Sequence, residues 1–273
     1  MPENKENDKI NTSKAEQTKI YSEILKKEMG ISLYLPHNYD CLSHLPVLYF
    51  LHGRSGNENI LFELDILKTA DLLIQQKIIK PLIIVCPRID NSRGVNSSMT
   101  TREVTSSNFN GRTINLGRYE DYFIKEVIPF IDTNYKTITS REGRFVGGAS
   151  AGGYAALNYG LRYPELFSKV GGHMPALELQ LDQEDIPYFS TIDIWKKHNP
   201  LYIAKECAIP SDMQLYLDAG NKDEGEFYNG CLELYKILKC RKVNVQNHLF
   251  EGHHNMAYIK SNLEKYLAFY TNQ

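Results

Sequence analysis

Residues 144–157 read Arg-Phe-Val-Gly-Gly-Ala-Ser-Ala-Gly-Gly-Tyr-Ala-Ala-Leu, and few folds accommodate that succession. An apolar run (Phe145, Val146) enters glycines. Gly148-Ala149-Ser150-Ala151-Gly152 then makes a G-x-S-x-G pattern, and Tyr154-Ala155-Ala156-Leu157 continues as a helix-compatible stretch. Strand, tight turn and helix in that order make a nucleophile elbow. The turn forces its serine into a strained backbone conformation, so side chains at Gly148 or Gly152 would collide with the adjoining strand or helix. The hydroxyl then stands at a helix N-terminus, where backbone N–H groups can meet developing negative charge. The pattern alone also fits a turn in which Ser150 is merely small and polar. The reading depends on an acid and a histidine following in the right order.

Both follow. Residues 213–223 read Met-Gln-Leu-Tyr-Leu-Asp-Ala-Gly-Asn-Lys-Asp, with Leu215 and Leu217 alternating with Gln214 and Tyr216 as in a strand. Residues 243–254 form a second strand-like run ending in Gly252-His253-His254. A serine hydroxyl needs an imidazole to take its proton and return it to the leaving group. The imidazole needs a carboxylate on its other nitrogen to fix the tautomer. Two acids and two histidines compete for these roles. Asp223 is preferred to Asp218, which sits at the strand end where it can cap the glycine turn. His254 is preferred to His253, because adjacent loop residues point in different directions. His37, His44, His198 and His248 are read as structural. The order Ser150, Asp223, His254 is that of α/β-hydrolases.

The chain resembles the esterase branch of the α/β-hydrolases, which includes esterase D, enterochelin-esterase-like enzymes, feruloyl and acetylxylan esterases and mycolyltransferases. The resemblance covers roughly residues 20–270. It rests on Tyr34-Leu35-Pro36 with Tyr39-Asp40, and on Pro46 through Leu51-His52-Gly53. It continues in Tyr119-Glu120-Asp121-Tyr122 through Asp132, the elbow, Asn199-Pro200-Leu201, Asp218 through Asp223, and Gly252-His253-His254. The resemblance implies Asp223 as the acid and His254 as the base. It also implies an oxyanion hole made by the backbone N–H groups of Arg54 and Ala151, with His52 ordering that loop. The chain departs from the family pattern after the histidine (Asn255, Met256, Ala257, with Tyr258 the near match), in Ser-Ala-Gly at the elbow, and at His173. These differences fall around the pocket, where His173, Trp195 and Tyr119 are expected to meet substrate.

A formal net charge of −2 without a basic face gives no support for nucleic-acid binding. No 18-residue apolar run predicts a membrane span. The charged start, Met1-Pro2-Glu3-Asn4-Lys5, lacks the apolar centre of a signal peptide, so a cytoplasmic protein is expected. Five scattered cysteines (Cys41, Cys86, Cys207, Cys231, Cys240) lack metal spacing and read as reduced thiols. No metal or cofactor is expected.

Along the chain, residues 1–18 are expected to be mobile and 19–273 to form one α/β-hydrolase domain, a mostly parallel sheet with helices on both faces. The pattern predicts a hairpin over 19–35, buried strands at 47–51 and 82–86, and helices over 61–76, 119–134 and 255–270. The polar stretch 88–116 is expected to cover part of the active-site mouth. Residues 176–211, with Tyr188, Phe189, Trp195 and Tyr202, read either as a cap or as a connection whose aromatics pack on the core. The expected function is serine-ester hydrolysis of a small-molecule ester. Acyl transfer, thioester or peptide hydrolysis use the same machinery, and a non-catalytic binder on this scaffold is the reading from another class.

Overall fold

The computed structural model describes residues 13–105 and 111–271. Most of the segment expected to be mobile, and residues 106–110 of the polar stretch, lie outside the described residues. The strands are β1 (Lys14–Ser22), β2 (Lys27–Leu35), β3 (Val47–Leu51), β4 (Ile83–Pro87), β5 (Arg102–Thr105), β6 (Thr113–Leu116), β7 (Arg144–Ala149), β8 (Lys169–His173), β9 (Gln214–Gly220) and β10 (Asn244–Phe250). Eight of them make one sheet in the order β1-β2-β4-β3-β7-β8-β9-β10, and β5 pairs with β6 in a separate ribbon. The β1–β2 and β2–β4 pairs are antiparallel, and every pairing from β4 to β10 is parallel.

The near-continuous apolar strands follow from burial on both faces. Along β3, Val47, Tyr49 and Leu51 point into one core while Leu48 and Phe50 point into the other. The first core is closed by helices Ala151–Arg162 and Phe227–Cys240, with Leu157, Leu161, Leu234 and Leu238 buried. The second is closed by helices Ile66–Gln75 and Met256–Thr271, through Ile66, Leu73, Ile259 and Leu263. Helices therefore cover both faces, as the resemblance implies. Among the described residues, no helix is long and apolar enough to cross a membrane.

Several elements differ from the sequence reading. Strand β1 begins at Lys14, inside the segment expected to be mobile, because residues 14–22 pair along their whole length with β2. The helix expected over 61–76 is two pieces, Ile60–Glu63 and Ile66–Gln75, broken at Asp65, whose φ is 54°. The helix expected over 119–134 opens into a π turn at Phe123–Val127 before Ile128–Asn134. Pro129 lacks the N–H that an unbroken α ladder needs there. Within 176–211, three short helices (Ile186–Phe189, Ile192–His198, Pro200–Glu206) seat Tyr188, Phe189 and Trp195 in the first core.

Candidate active site

Parallel strands put their C-terminal ends on one edge, and that edge collects the three predicted groups. Ser150 follows β7, Asp223 follows β9 and His254 follows β10. Ser150 has φ 55° and ψ −116°, a backbone conformation rarely adopted by a residue with a side chain. Its N–H donates to the His173 carbonyl at 3.1 Å, and its own carbonyl accepts from Tyr154 at 2.9 Å and Ala176 at 3.0 Å. The glycines are required by contact. A Cβ on Gly148 would lie 2.6 Å from the Leu51 carbonyl oxygen, and one on Gly152 would lie 2.5 Å from that of His52.

Ser150 Oγ lies 2.8 Å from His254 Nε2. His254 Nδ1 lies 2.9 Å from Asp223 Oδ2. With an ionised carboxylate on Nδ1, the ring proton sits there and Nε2 is left to accept from the serine hydroxyl. The Asp223 side chain is fully buried, and its Oδ1 accepts from the Gly225 N–H at 2.9 Å. The two loops are also joined along their backbones: Asn221 N donates to Phe250 O at 2.8 Å and Lys222 N to Gly252 O at 2.9 Å. Glu224 adds a side-chain link, accepting from the His254 N–H at 3.2 Å and meeting His253 Nδ1 at 2.7 Å. These backbone donors and His253 hold the exposed Glu224 carboxyl below its usual range.

Gly53, Arg54 and Ala151 stand beside the serine, lining a cavity of about 690 Å³ that also takes in Ser150 and His254. His52 beneath them is buried. Its Nε2 accepts from the Ile89 N–H at 3.0 Å, so Nδ1 carries the proton and donates to the Gly53 carbonyl at 2.8 Å. Burial lowers its pKa. The ring is therefore a neutral brace between the loop after β3 and the loop after β4. The cavity wall combines apolar side chains (Leu177, Phe227, Met256, Ile259) with charged ones (Arg54, Arg112, Asp182, Glu184). Phe227 stands edge-on to the His254 ring, with centroids 5.1 Å apart.

The family described as "Putative esterase" matches residues 22–270. This chain belongs to that esterase family. Esterase Rv1288 of Mycobacterium tuberculosis is 29% identical over 154 residues, 56% of this chain and 30% of that relative, so the aligned stretch spans under a third of the relative's length. Uncharacterized protein YjcH of Bacillus subtilis is 27% identical over 187 residues, 64% of this chain and 69% of YjcH. A solved ferulic acid esterase superposes with TM-score 0.80 at 22% identity, covering 95% of this chain and 98% of its own. The S-formylglutathione hydrolase FrmB of Staphylococcus aureus superposes with TM-score 0.73 at 20% identity, covering 95% and 99%. The fold is that of the α/β-hydrolase esterases.

Three residues expected at the esterase pocket lie elsewhere. Trp195 is buried in the core against Tyr202. Tyr119 is buried, and its hydroxyl donates to Asp90 at 2.8 Å. His173 is buried below the sheet edge, with Nε2 2.8 Å from the Tyr270 hydroxyl and its ring stacked 3.8 Å from that of Tyr266. Asp218 does not cap the glycine turn. It is fully buried and accepts two tyrosine hydroxyls.

The sequence reading also missed Arg93. Buried, it donates to Asp185 at 2.5 Å, to Glu178 at 2.7 Å and to the Ala176 carbonyl at 2.8 Å, and it lies over the Tyr154 ring at 4.4 Å. It thereby fixes the 176–185 wall to the helix that starts at the elbow. Burial pushes the Asp185 carboxyl up to about 7, against the pull of Arg93. Arg93 sits in a polar loop with no periodicity, so no local signal marks it. For Glu224, adjacency to Asp223 was a usable clue.

Proposed function

We propose that this protein is a serine carboxylic-ester hydrolase acting through Ser150, His254 and Asp223 and an acyl-enzyme. The observation that carries the reading is the hydrogen-bonded series from Ser150 Oγ through His254 to buried Asp223, opening on a cavity. Ser150 Oγ attacks the ester carbonyl while His254 Nε2 takes its proton. Asp223 holds the tautomer and stabilises the imidazolium. The backbone N–H groups of Arg54 and Ala151 donate to the developing oxyanion; that of Ala151 opens a helix and has no helical carbonyl to bond. The protonated His254 then returns its proton to the departing alkoxide. Water, deprotonated by the same ring, attacks the acyl-enzyme and frees the acid and Ser150.

The mixed apolar and charged lining suits a small-molecule ester with one apolar portion and one polar portion. The test is hydrolysis of p-nitrophenyl esters from acetate to octanoate by wild type and Ser150→Ala, with fluorophosphonate labelling. Activity and labelling in the wild type, both lost in the variant, are expected. A wild type that neither hydrolyses nor labels would overturn the proposal.

A further inference from the structure

Asp218 is a second buried carboxylate near the site, and the reaction described above does not use it. It is fully buried near the end of β9, directly opposite His173 of β8. Its Oδ2 accepts from the Tyr258 hydroxyl at 2.7 Å and the Tyr266 hydroxyl at 2.8 Å, and its Oδ1 accepts from the Met174 N–H at 3.3 Å. Its main-chain oxygen accepts from the same N–H at 3.0 Å. His173 Nδ1 is 3.7 Å from Oδ1, too far for a hydrogen bond.

Two of these links lead to the reacting groups. Met174 follows His173, whose carbonyl holds the Ser150 N–H at 3.1 Å. Tyr258 lies against Gly252, where an added Cβ would come within 2.6 Å of the tyrosine ring, and Gly252 is two residues before His254. Tyr258 N also donates to the Asn255 side chain at 3.0 Å, so the ring and backbone of Tyr258 brace the histidine loop from both sides. Tyr266 has the same grip on Asp218 but sits two turns further along the helix, stacked on His173.

We propose that Asp218 and Tyr258 are positioning residues: the carboxylate joins the support of the elbow to the support of the histidine loop and thereby sets the distance between Ser150 Oγ and His254 Nε2. This rests on the hydrolase reading above. Because misplacement of reacting groups by about 1 Å can cost on the order of a hundredfold, loss of a single anchoring hydroxyl should show in rate before it shows in binding.

The experiment compares Tyr258→Phe with Tyr266→Phe, each removing one hydroxyl from the same carboxylate. Fluorophosphonate labelling rate, kcat, KM and melting temperature are read for both, with Asp218→Asn alongside. The expected result for Tyr258→Phe is a labelling rate and kcat lowered by about tenfold with KM unchanged. Tyr266→Phe should label within about twofold of wild type although its melting temperature falls as far. Equal loss of labelling in the two variants would make the cluster merely structural and overturn the proposal, as would wild-type labelling by Tyr258→Phe. A wild type that does not label would overturn the hydrolase reading itself and this proposal with it; a labelling wild type beside an unaffected Tyr258→Phe removes only the positioning role.

Discussion

The Arg54 guanidinium donates to the Glu184 carboxylate, joining the loop after β3 to the segment after β8. Both residues line the cavity, so this ion pair ties the proposed oxyanion loop to the pocket wall. A half-exposed pair of this kind is worth about 1 kcal/mol or less. Glu184→Ala is expected to raise KM by about two- to fivefold and leave kcat nearly unchanged. Steady-state kinetics on the best ester checks this, and a fall in kcat without a change in KM would contradict it.

Asp223→Asn should keep the fold, since the substituted side chain has the same size, but it can no longer hold His254 in the reactive tautomer. A drop in kcat of roughly a thousandfold or more is expected. Asp218→Asn should cost far less. If the two substitutions were equally damaging, the assignment of Asp223 over Asp218 would fall.

Trp195 is the only tryptophan of the chain and is buried away from the cavity. Trp195→Ala should destabilise the protein by about 3–5 kcal/mol in denaturant unfolding. Trp195→Phe should leave KM within about twofold of wild type, because the ring packs a core and touches no substrate. A large rise in KM for the phenylalanine variant would return Trp195 to the pocket.

Three histidines, the buried His52 and His173 and the partly buried His198, make the fold acid-sensitive. Burial lowers the pKa of His52 and of His173, and burial together with Arg162 and Lys197 pushes His198 down to about 4. Arg162 donates to His198 Nδ1 at 3.3 Å, which keeps that ring neutral. In the unfolded chain these rings bind protons below about pH 6.5, so the unfolded state takes up more protons. Stability is therefore fully present above pH 6.5 and is lost as pH falls from there through about 4. Melting temperature against pH should show this slope, and His198→Gln should flatten it.

Ser150, Asp223 and His254 were legible because each is anchored to a local pattern: the elbow glycines, the turn after β9 and Gly252 before the histidines. The sheet was legible for the same reason, since strands buried on both faces read as short apolar runs. Trp195, Tyr119 and His173 misled because an aromatic residue looks the same in sequence whether it faces a core or a ligand. Arg93 and Asp185 stayed hidden because they are far apart in the chain, and nothing local announces that a loop arginine will be buried against a distant carboxylate. Asp218 was readable as a candidate acid, but its two tyrosine partners, Tyr258 and Tyr266, come from a separate helix 40 and 48 positions further along the chain.

The hydrogen bond between Ser150 and His254 closes across 104 positions of sequence. During synthesis Ser150 thus emerges well before His254, and strands β9 and β10, which lead into Asp223 and His254, are made after it. The helix that follows, Met256–Thr271, packs with Ile66–Gln75 on one face of the sheet. On the proposed mechanism, a nascent chain that has not yet made β10 and the turn after it carries Ser150 without the imidazole that would activate it, so hydrolysis would switch on only after that strand has paired with β9.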